Sequence, residues 1–594
     1  MKKTGRAKGS RASRTKKVRR HKYIFVTGGV MSGVGKGICA SSIGTLLSAR
    51  GFNVNLVKVD PYLNVDAGTM NPTEHGEVFV LDSGLETDQD MGNYERFLNR
   101  DLSDADYLTS GMIYKHVIEK ERALGFGGKC VEAIPHIRDE IISRFEHSAK
   151  VNRSDISIIE IGGTIGDYQN IMFIEAARAL KIHHPDDVIF IMVSYLPVPQ
   201  KLGEMKTRPT QNAVHQLASY GVTADIIIGR AEIPLDQRRK EKIAAACNIL
   251  PNRVISAPDI ESIYDVPVNF DHDKLGETLL EALELPIRKK KNKDFDVWKK
   301  FARGIKNHKK NEVSIGIVGK YFNTGDFILT DSYLSVLEAV KFSAYVNGVR
   351  AVIHPVNARD FEAKVPDYTS LDKFDGIIVP GGFGQTGIEG KLNVIRYARE
   401  NKIPYLGLCY GMQLMTIEFA RNVLGLKGAN TAEIDPNASH LVIDIMPDQK
   451  KKVALGNYGG SMRLGLYPAK LKKGTVAHSS YGVSKIGERH RHRYEVNPKY
   501  IDKLEKKGLV FSGKSPDGIL MEIAELPQNE HPFFLGTQFH PELLARPLSP
   551  HPLFTSFIKS SKDRKKHEAT KRVNDEVSIE LNTQPISIEK ELFA

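Results

Sequence analysis

Gly407-Leu408-Cys409-Tyr410-Gly411 stands between the apolar run Ile403-Pro404-Tyr405-Leu406 and the helix-patterned Met412-Gln413-Leu414-Met415-Thr416-Ile417-Glu418. A strand that turns through G-x-C-x-G into a helix is the thiol form of a nucleophile elbow. The glycines permit a turn too tight for side chains, and a helix N-terminus stabilises a thiolate placed on it. Far downstream, Gln538-Phe539-His540-Pro541-Glu542 offers an imidazole base with a carboxylate two residues on. Read as a strand, positions i and i+2 share a face, which lets Glu542 orient His540. A lone cysteine in an apolar run is usually a buried structural residue. Two flanking glycines and a downstream His-Pro-Glu favour acyl transfer, with Cys409 as nucleophile and His540 as base.

A second constellation lies near the start. After the β-rich run Tyr23-Ile24-Phe25-Val26-Thr27 comes Gly28-Gly29-Val30-Met31-Ser32-Gly33-Val34-Gly35-Lys36-Gly37, then the helix-like Ile38-Cys39-Ala40-Ser41-Ser42. A glycine-rich turn into a helix offers backbone N–H groups and a favourable dipole to phosphates, and a lysine for their charge. The strict phosphate-loop pattern fails twice. Val30 stands where the first glycine belongs, and Gly37 replaces the Ser/Thr that would hold Mg²⁺. Magnesium then needs oxygen ligands from elsewhere. Glu86-Thr87-Asp88-Gln89-Asp90 and Glu160, which opens Ile161-Gly162-Gly163-Thr164, are the candidates, although acid clusters are more often solvated loops. At a strand's C-terminal end Glu160 is where open α/β sheets bind ligands.

The elements that must position these residues alternate between strand-like and helix-like runs. Ile156–Glu160, Val188–Val193 and Ile226–Gly229 read as buried parallel strands, which predicts doubly wound α/β sheets. The expected organisation is a basic disordered tail at 1–22, a first α/β domain at 23–287, a linker at 288–312 holding one helix anchored by Trp298, a second α/β domain at 313–562, and a frayed polar tail at 563–594. At 594 residues the chain is too long for one core. Its 41% hydrophobic and 26% charged content is that of an ordinary globular protein, and no apolar run reaches about 18 residues, so no membrane partner is expected. Four scattered cysteines fit a reducing compartment, here the cytoplasm. Of the formal net charge of +13, eleven units sit in residues 1–22, which leaves a near-neutral body. Nucleic acid is therefore expected to meet only that tail.

The second half resembles a class I glutamine amidotransferase. Gly28–Gly37, Lys58-Val59-Asp60-Pro61-Tyr62-Leu63-Asn64-Val65-Asp66, His75–Val80, Glu160–Thr164, Lys206-Thr207-Arg208-Pro209-Thr210-Gln211 and Glu488–Asn497 resemble the CTP synthase family over roughly residues 22–560. The resemblance implies a phosphate-loop-like amidoligase joined by a linker to a glutaminase. The implied reaction is amination of UTP to CTP through a 4-phosphorylated UTP, with ATP as co-substrate and ammonia drawn from glutamine. ATP would be held by Gly33, Val34, Gly35, Lys36, Gly37, Ile38, Asp90, Asp259 and Ile260. Lys58 would serve phosphoryl transfer, and Asp90 and Glu160 would hold Mg²⁺. Ser32, Lys206 to Gln211 (Lys206, Thr207, Arg208, Pro209, Thr210, Gln211) and Lys242 would grip UTP, with Asp167, Tyr168 and Gln169 adding to a CTP site. Glutamine would meet Gly382, Tyr410, Gly411, Met412, Gln413, Glu433 and Arg493. The Gly381-Gly382-Phe383-Gly384 loop and the backbone of Tyr410 would form an oxyanion hole. GTP activation, CTP feedback and a homotetramer also follow from the likeness.

Two departures stand out. Arg208 replaces the lysine usual in relatives, and Gln169 stands where many carry a carboxylate. A neutral amide accepts a weaker hydrogen bond than a carboxylate, so weaker CTP feedback is expected with turnover retained. One rival reading is an amidotransferase with another acceptor, which would show a pyrophosphatase-type loop. Another is a non-catalytic scaffold using the basic tail, which the Cys409/His540/Glu542 set disfavours.

Overall fold

The computed structural model describes residues 20–199, 203–287, 293–307, 311–319, 323–324, 327–328, 331–363, 366–382, 384–446 and 462–583. Most of the expected basic tail, parts of the expected linker, Phe383 and residues 584–594 lie outside them. Strand formation begins one residue before the predicted Tyr23. His21 bonds Ser154 O and Ser157 Oγ, each at 2.9 Å, and the Lys22 ammonium reaches Asp187 at 2.9 Å.

The first sheet has seven parallel strands: β1 (Lys22–Gly29), β2 (Val54–Asp60), β3 (Tyr107–Thr109), β4 (Ile156–Ile161), β5 (Val188–Tyr195), β6 (Ile226–Ala231) and β7 (Val254–Pro258). Their order is β3-β2-β4-β1-β5-β6-β7. Both faces of such a sheet are covered, so its strands are apolar on both sides. In β1, Ile24 and Val26 enter one core and Tyr23 and Phe25 the other; in β5, Ile189, Ile191 and Val193 face one way and Val188, Phe190 and Met192 the other. Helices α1 (Lys36–Ala49), α2 (Asp90–Leu98) and α3 (Arg208–Ser219) belong to this unit. Because β1 is central, its glycine loop opens onto the sheet's C-terminal edge beside β4, which carries Glu160, with Lys58 of β2 one strand further on.

Helix α4 (Lys293–Asn307) follows, with Trp298 only 2% exposed and its indole N–H donating to Tyr264 O at 2.9 Å. Rings of Phe97, Tyr264 and Phe301 pack around it with centroids 5.2–6.2 Å away, and Phe342 meets Tyr264 and Phe301. One apolar core therefore runs without a break from the first sheet, through α4, into the second.

The second sheet contains β8 (Glu312–Gly319), β9 (Arg350–Asn357), β10 (Gly376–Val379), β11 (Tyr405–Leu408), β12 (Arg463–Leu471), β13 (Lys485–His492), β14 (Val510–Lys514), β15 (Met521–Glu525) and β16 (Phe534–Thr537). Its order is β9-β8-β10-β11-β16-β15-β14-β12-β13, parallel through the first five and antiparallel beyond. It carries α5 (Leu334–Val346), α6 (Tyr410–Asn422) and α7 (Pro552–Thr583). The polar stretch beyond Lys562, expected to be frayed, continues as helix to Thr583 in α7. Residues 563–583 hold good helix formers and neither Gly nor Pro, with Pro585 the first breaker.

Candidate functional site

Strand β11 delivers Cys409 to the N-terminus of α6. The strained residue is the cysteine itself, at φ 49° and ψ −97°, a region costly for a residue with a Cβ. The flanking glycines serve space rather than backbone angle. A Cβ at Gly411 would overlap Val379 O, and one at Gly407 would lie 2.6 Å from the Tyr405 hydroxyl. This is the turn too tight for side chains that the sequence leads one to expect. Cys409 N–H donates to Thr537 O at 2.6 Å, which ties the elbow to β16.

His540 and Glu542 do not share a strand, because β16 ends at Thr537 and Pro541 opens a single turn over 541–544. That turn brings the Glu542 carboxylate to His540 Nδ1 at 2.7 Å. Burial alone would lower the imidazole pKa. Glu542 and Cys409 outweigh it and raise it to about 10. An imidazolium beside a sulfur nucleophile and a carboxylate is suited to acyl transfer. Gly381 packs so closely that a Cβ there would sit 2.9 Å from His540 Cε1, which places the Gly381–Gly382 backbone over the reacting atoms.

Gln538 was not singled out from sequence, yet its amide donates to Cys409 Sγ at 3.7 Å. Gln413 donates to Tyr494 O and to Gln538 Oε1, so it braces the elbow from behind. Met412 is fully buried under the same turn, where a Cβ on Gly536 would strike it. Glu433 accepts from Gly384 N–H at 2.8 Å, and Arg493 follows β13 with its carbonyl accepting from Met446. Strand β13 lies across the site. Its Arg491 carbonyl meets Cys409 Sγ at 3.7 Å, and its Arg489 carbonyl accepts from His540 N–H at 2.8 Å.

At the first sheet's edge, Lys58 from β2 sits among four carboxylates: Asp60 at 3.5 Å, Asp88 at 3.9 Å, Glu160 at 3.3 Å and Asp90 in direct contact. Burial opposes the ammonium, but these acids hold its pKa well above the usual lysine value. Burial raises Glu160 and Asp60, whereas Lys58 outweighs burial at Asp90 and lowers it. Lys36 is buried and donates to Gly163 O at 2.8 Å. Four carboxyl groups around two ammonium groups offer oxygen donors to a divalent cation, whose charge would favour their ionised forms.

The geometry also explains Gly37. A Cβ there would lie 2.6 Å from Asp90 Oδ1 and 3.3 Å from Glu160 Oε2, so Asp90 occupies the space that a phosphate-loop hydroxyl would use. Oxygen donors at this spot fit Mg²⁺. Among the described residues no group of three or more His, Cys, Asp or Glu side chains is placed to hold a metal ion by itself. Two carboxylates with nucleotide phosphates and water are the usual Mg²⁺ set. Val30, where the pattern has glycine, does adopt a left-handed φ of 78°. Gly33 and Gly35 also have positive φ, and Ser32 and Gly33 are exposed on the loop while Val34 turns inward. Beside the loop a cavity of about 190 Å³ is lined by Gly35, Ile38, Arg230, Asp259 and Ile260, and Arg230 pairs with Asp259 at 2.9 Å.

The residues expected to grip UTP divide into two kinds. Thr207, Thr210 and Gln211 are buried at the start of α3, with Thr210 Oγ1 accepting from Ser194 at 2.9 Å and Gln211 donating to Thr207 at 3.2 Å. Pro209 occupies the first turn of α3. Arg208 and Lys242 are exposed and Lys206 half-buried, its ammonium on Glu204 at 2.7 Å. Asp167, Tyr168 and Gln169 are exposed together on the loop after β4, and Asp167 accepts from Thr164 N–H at 2.6 Å.

The two halves meet around the thiol. A cavity of about 80 Å³ is lined by Cys409, His540 and Gly382 from one half and by Pro72, Glu77 and Val78 from the other. Fully buried Arg489 binds Glu95 at 2.9 and 3.0 Å, Asp82 at 2.6 Å and Asp101 at 3.2 Å, and Arg491 binds Glu86 at 2.7 Å.

Family models for the CTP synthase N-terminus and for class I glutamine amidotransferase match residues 22–285 and 328–560. A CTP synthase of Caldanaerobacter subterraneus is 49% identical over 91% of this chain and 98% of its own length. A CTP synthase of Thermococcus gammatolerans is 48% identical over 92% of this chain and 99% of its own.

The chain belongs to the CTP synthase family.

A solved CTP synthase glutaminase domain of Trypanosoma brucei with bound acivicin is 36% identical, covering 42% of this chain and 94% of that one, with a TM-score of 0.39. As a family member the chain is a glutamine-hydrolysing ligase that converts UTP to CTP at the expense of ATP, in pyrimidine synthesis. No helix among the described residues is long and apolar enough to cross a membrane.

Proposed function

We propose that the CTP synthase reaction is divided between the two halves, with Cys409 producing ammonia and the Lys58 edge of the first sheet activating UTP. In the glutaminase, the Cys409 sulfur attacks the glutamine carboxamide carbon. His540 passes its proton to the departing nitrogen as ammonia leaves, and water then releases glutamate from the thioester. The backbone N–H groups at Gly382 and Tyr410 face the developing oxyanion. Glu433 and Arg493 flank the elbow for the amino and carboxylate groups of glutamine.

In the amidoligase, Gly33 to Ile38 cradle the ATP phosphates, and the cavity beside Asp259 and Ile260 receives the base. Lys36 and Lys58 carry charge for the γ-phosphoryl group as it moves to uracil O4, and ammonia then displaces phosphate at C4. Asp90 and Glu160 would hold Mg²⁺, which when bound neutralises charge on the transferring phosphoryl group. Ser32, Lys206, Arg208 and Lys242 supply cationic and polar contacts for the UTP triphosphate. The exposed Asp167–Gln169 loop is the proposed CTP feedback contact. GTP activation, a homotetramer and a cytoplasmic setting complete the reading through family likeness.

The observation that carries it is the shared cavity, in which the thiol faces residues of the amidoligase. The test is ultraviolet monitoring of UTP conversion with ATP, Mg²⁺ and either glutamine or ammonium. Cys409→Ala should abolish glutamine-driven synthesis and leave ammonium-driven synthesis near normal. Equal loss of both in a folded variant would reject the division.

A further inference from the structure

The segment Pro72–Val78 reaches from the amidoligase into the glutaminase. Ser332 Oγ donates to Pro72 O at 3.2 Å, and Glu77 N–H donates to Asp331 O at 3.0 Å. The Glu77 carboxylate lies against the start of α5, where Ser335 N–H donates to its two oxygens at 3.0 and 2.8 Å and the Ser335 hydroxyl donates as well. Arg96 of α2 donates to Ser335 Oγ at 3.1 Å from the amidoligase side. A helix leaves its first N–H groups without internal partners, and a carboxylate is the favoured acceptor there. Tyr333, at the N-cap of α5, makes no side-chain capping bond. The helix of one half is thus capped by an acid of the other, and that acid lines the cavity holding Cys409.

We propose that Glu77 is a positioning residue for ammonia transfer, its carboxylate clasping the start of α5 so that the Pro72–Val78 segment walls the thiol cavity. The inference rests on the proposed division of labour. Glu77 touches neither thiol nor imidazole in the chemistry above, so each half-reaction can proceed without it. Ammonia made at Cys409 would then escape to solvent before reaching UTP. A cavity of this size admits several water-sized molecules, so its closure decides whether ammonia is retained.

The experiment uses the full chain and compares glutamate formed per CTP formed, together with ammonium-driven synthesis. Wild type is expected near one glutamate per CTP. Glu77→Ala should raise that ratio on the order of ten-fold, the size expected for leaving buried hydrogen-bond donors without their acceptor, while ammonium-driven synthesis persists. Glu77→Gln should restore a ratio near wild type, since its amide oxygen still accepts from Ser335 N–H and its amino group can donate to Ser335 Oγ. Ser335→Ala, which keeps the N–H donor, should give an intermediate ratio and serves if Glu77→Ala does not fold. An unchanged ratio in Glu77→Ala, or in Ser335→Ala where Glu77→Ala does not fold, would overturn the inference. So would a Gln variant as uncoupled as the Ala variant. Failure of wild type to make CTP from glutamine would instead sink the division of labour.

Discussion

Cys409 is held in a conformation few L-residues adopt, and its neighbours forbid relaxation: Gly411 abuts Val379 O and Thr537 O fixes the cysteine N–H. At this scale two predictions follow from charge and space. His540 is raised to about 10 because Glu542 and Cys409 together outweigh burial. A base whose pKa is raised by folding contributes stability that is complete below its unfolded value, near 6.5, and is lost as pH climbs through about 10. Glu542→Gln removes one raising cause, so the alkaline limb of glutaminase activity should move to lower pH. A limb that stays in place would remove Glu542 from this role. At the other site, Gly37→Ala would press a methyl group onto Asp90, which Lys58 already pins. Ammonium-driven synthesis should fall at least ~10-fold, with glutamine hydrolysis spared. The thiol elbow, the His-Pro-Glu run and the glycine-rich loop were legible in sequence because each motif is a short local stretch. The crowding of Gly37 by Asp90 was not, since it joins residues 53 positions apart.

Among the elements, α4 decides how the halves are joined. Trp298 is seated against Phe97 and Tyr264 of the first unit, its N–H satisfied by Tyr264 O, while Tyr264 and Phe301 of α4 in turn meet Phe342 of the second unit. Trp298→Ala should therefore cost ~3–5 kcal/mol, read as a lower midpoint of thermal unfolding. A loss below ~1 kcal/mol would mean that α4 is peripheral. The buried parallel strands announced themselves as continuous apolar runs because both faces of the first sheet are covered. The continuation of α7 past Lys562 did not, since a polar helix lacks the apolar stripe that sequence reading relies on. The His540–Glu542 geometry also escaped, because Pro541 converts an apparent strand into a turn.

For the whole molecule, ion pairs buried between the halves matter more than surface ones. Arg489 has no exposure and Glu95 almost none, and Arg546 adds a second guanidinium at 3.3 Å from Glu95. Removing one partner strands the other, so Arg489→Met should destabilise by ~3–5 kcal/mol. The double variant Arg489→Met/Glu95→Gln should lose less than the single one, as thermal unfolding would show. Additive losses would mean that the pair is uncoupled. Strand β13 gives this interface an unusual character. Arg489 and Arg491 point to the acids of one half, and His490 and His492 pack on the other side, while its carbonyls touch Cys409 and His540 N–H. Two enzymes thus share one strand as a common alphabet. Swapping in the glutaminase of another amidotransferase would bring a strand whose outward letters are foreign to this partner, so a working chimera would have to carry the outer face of β13, or rewrite Asp82, Glu86 and Glu95 to match.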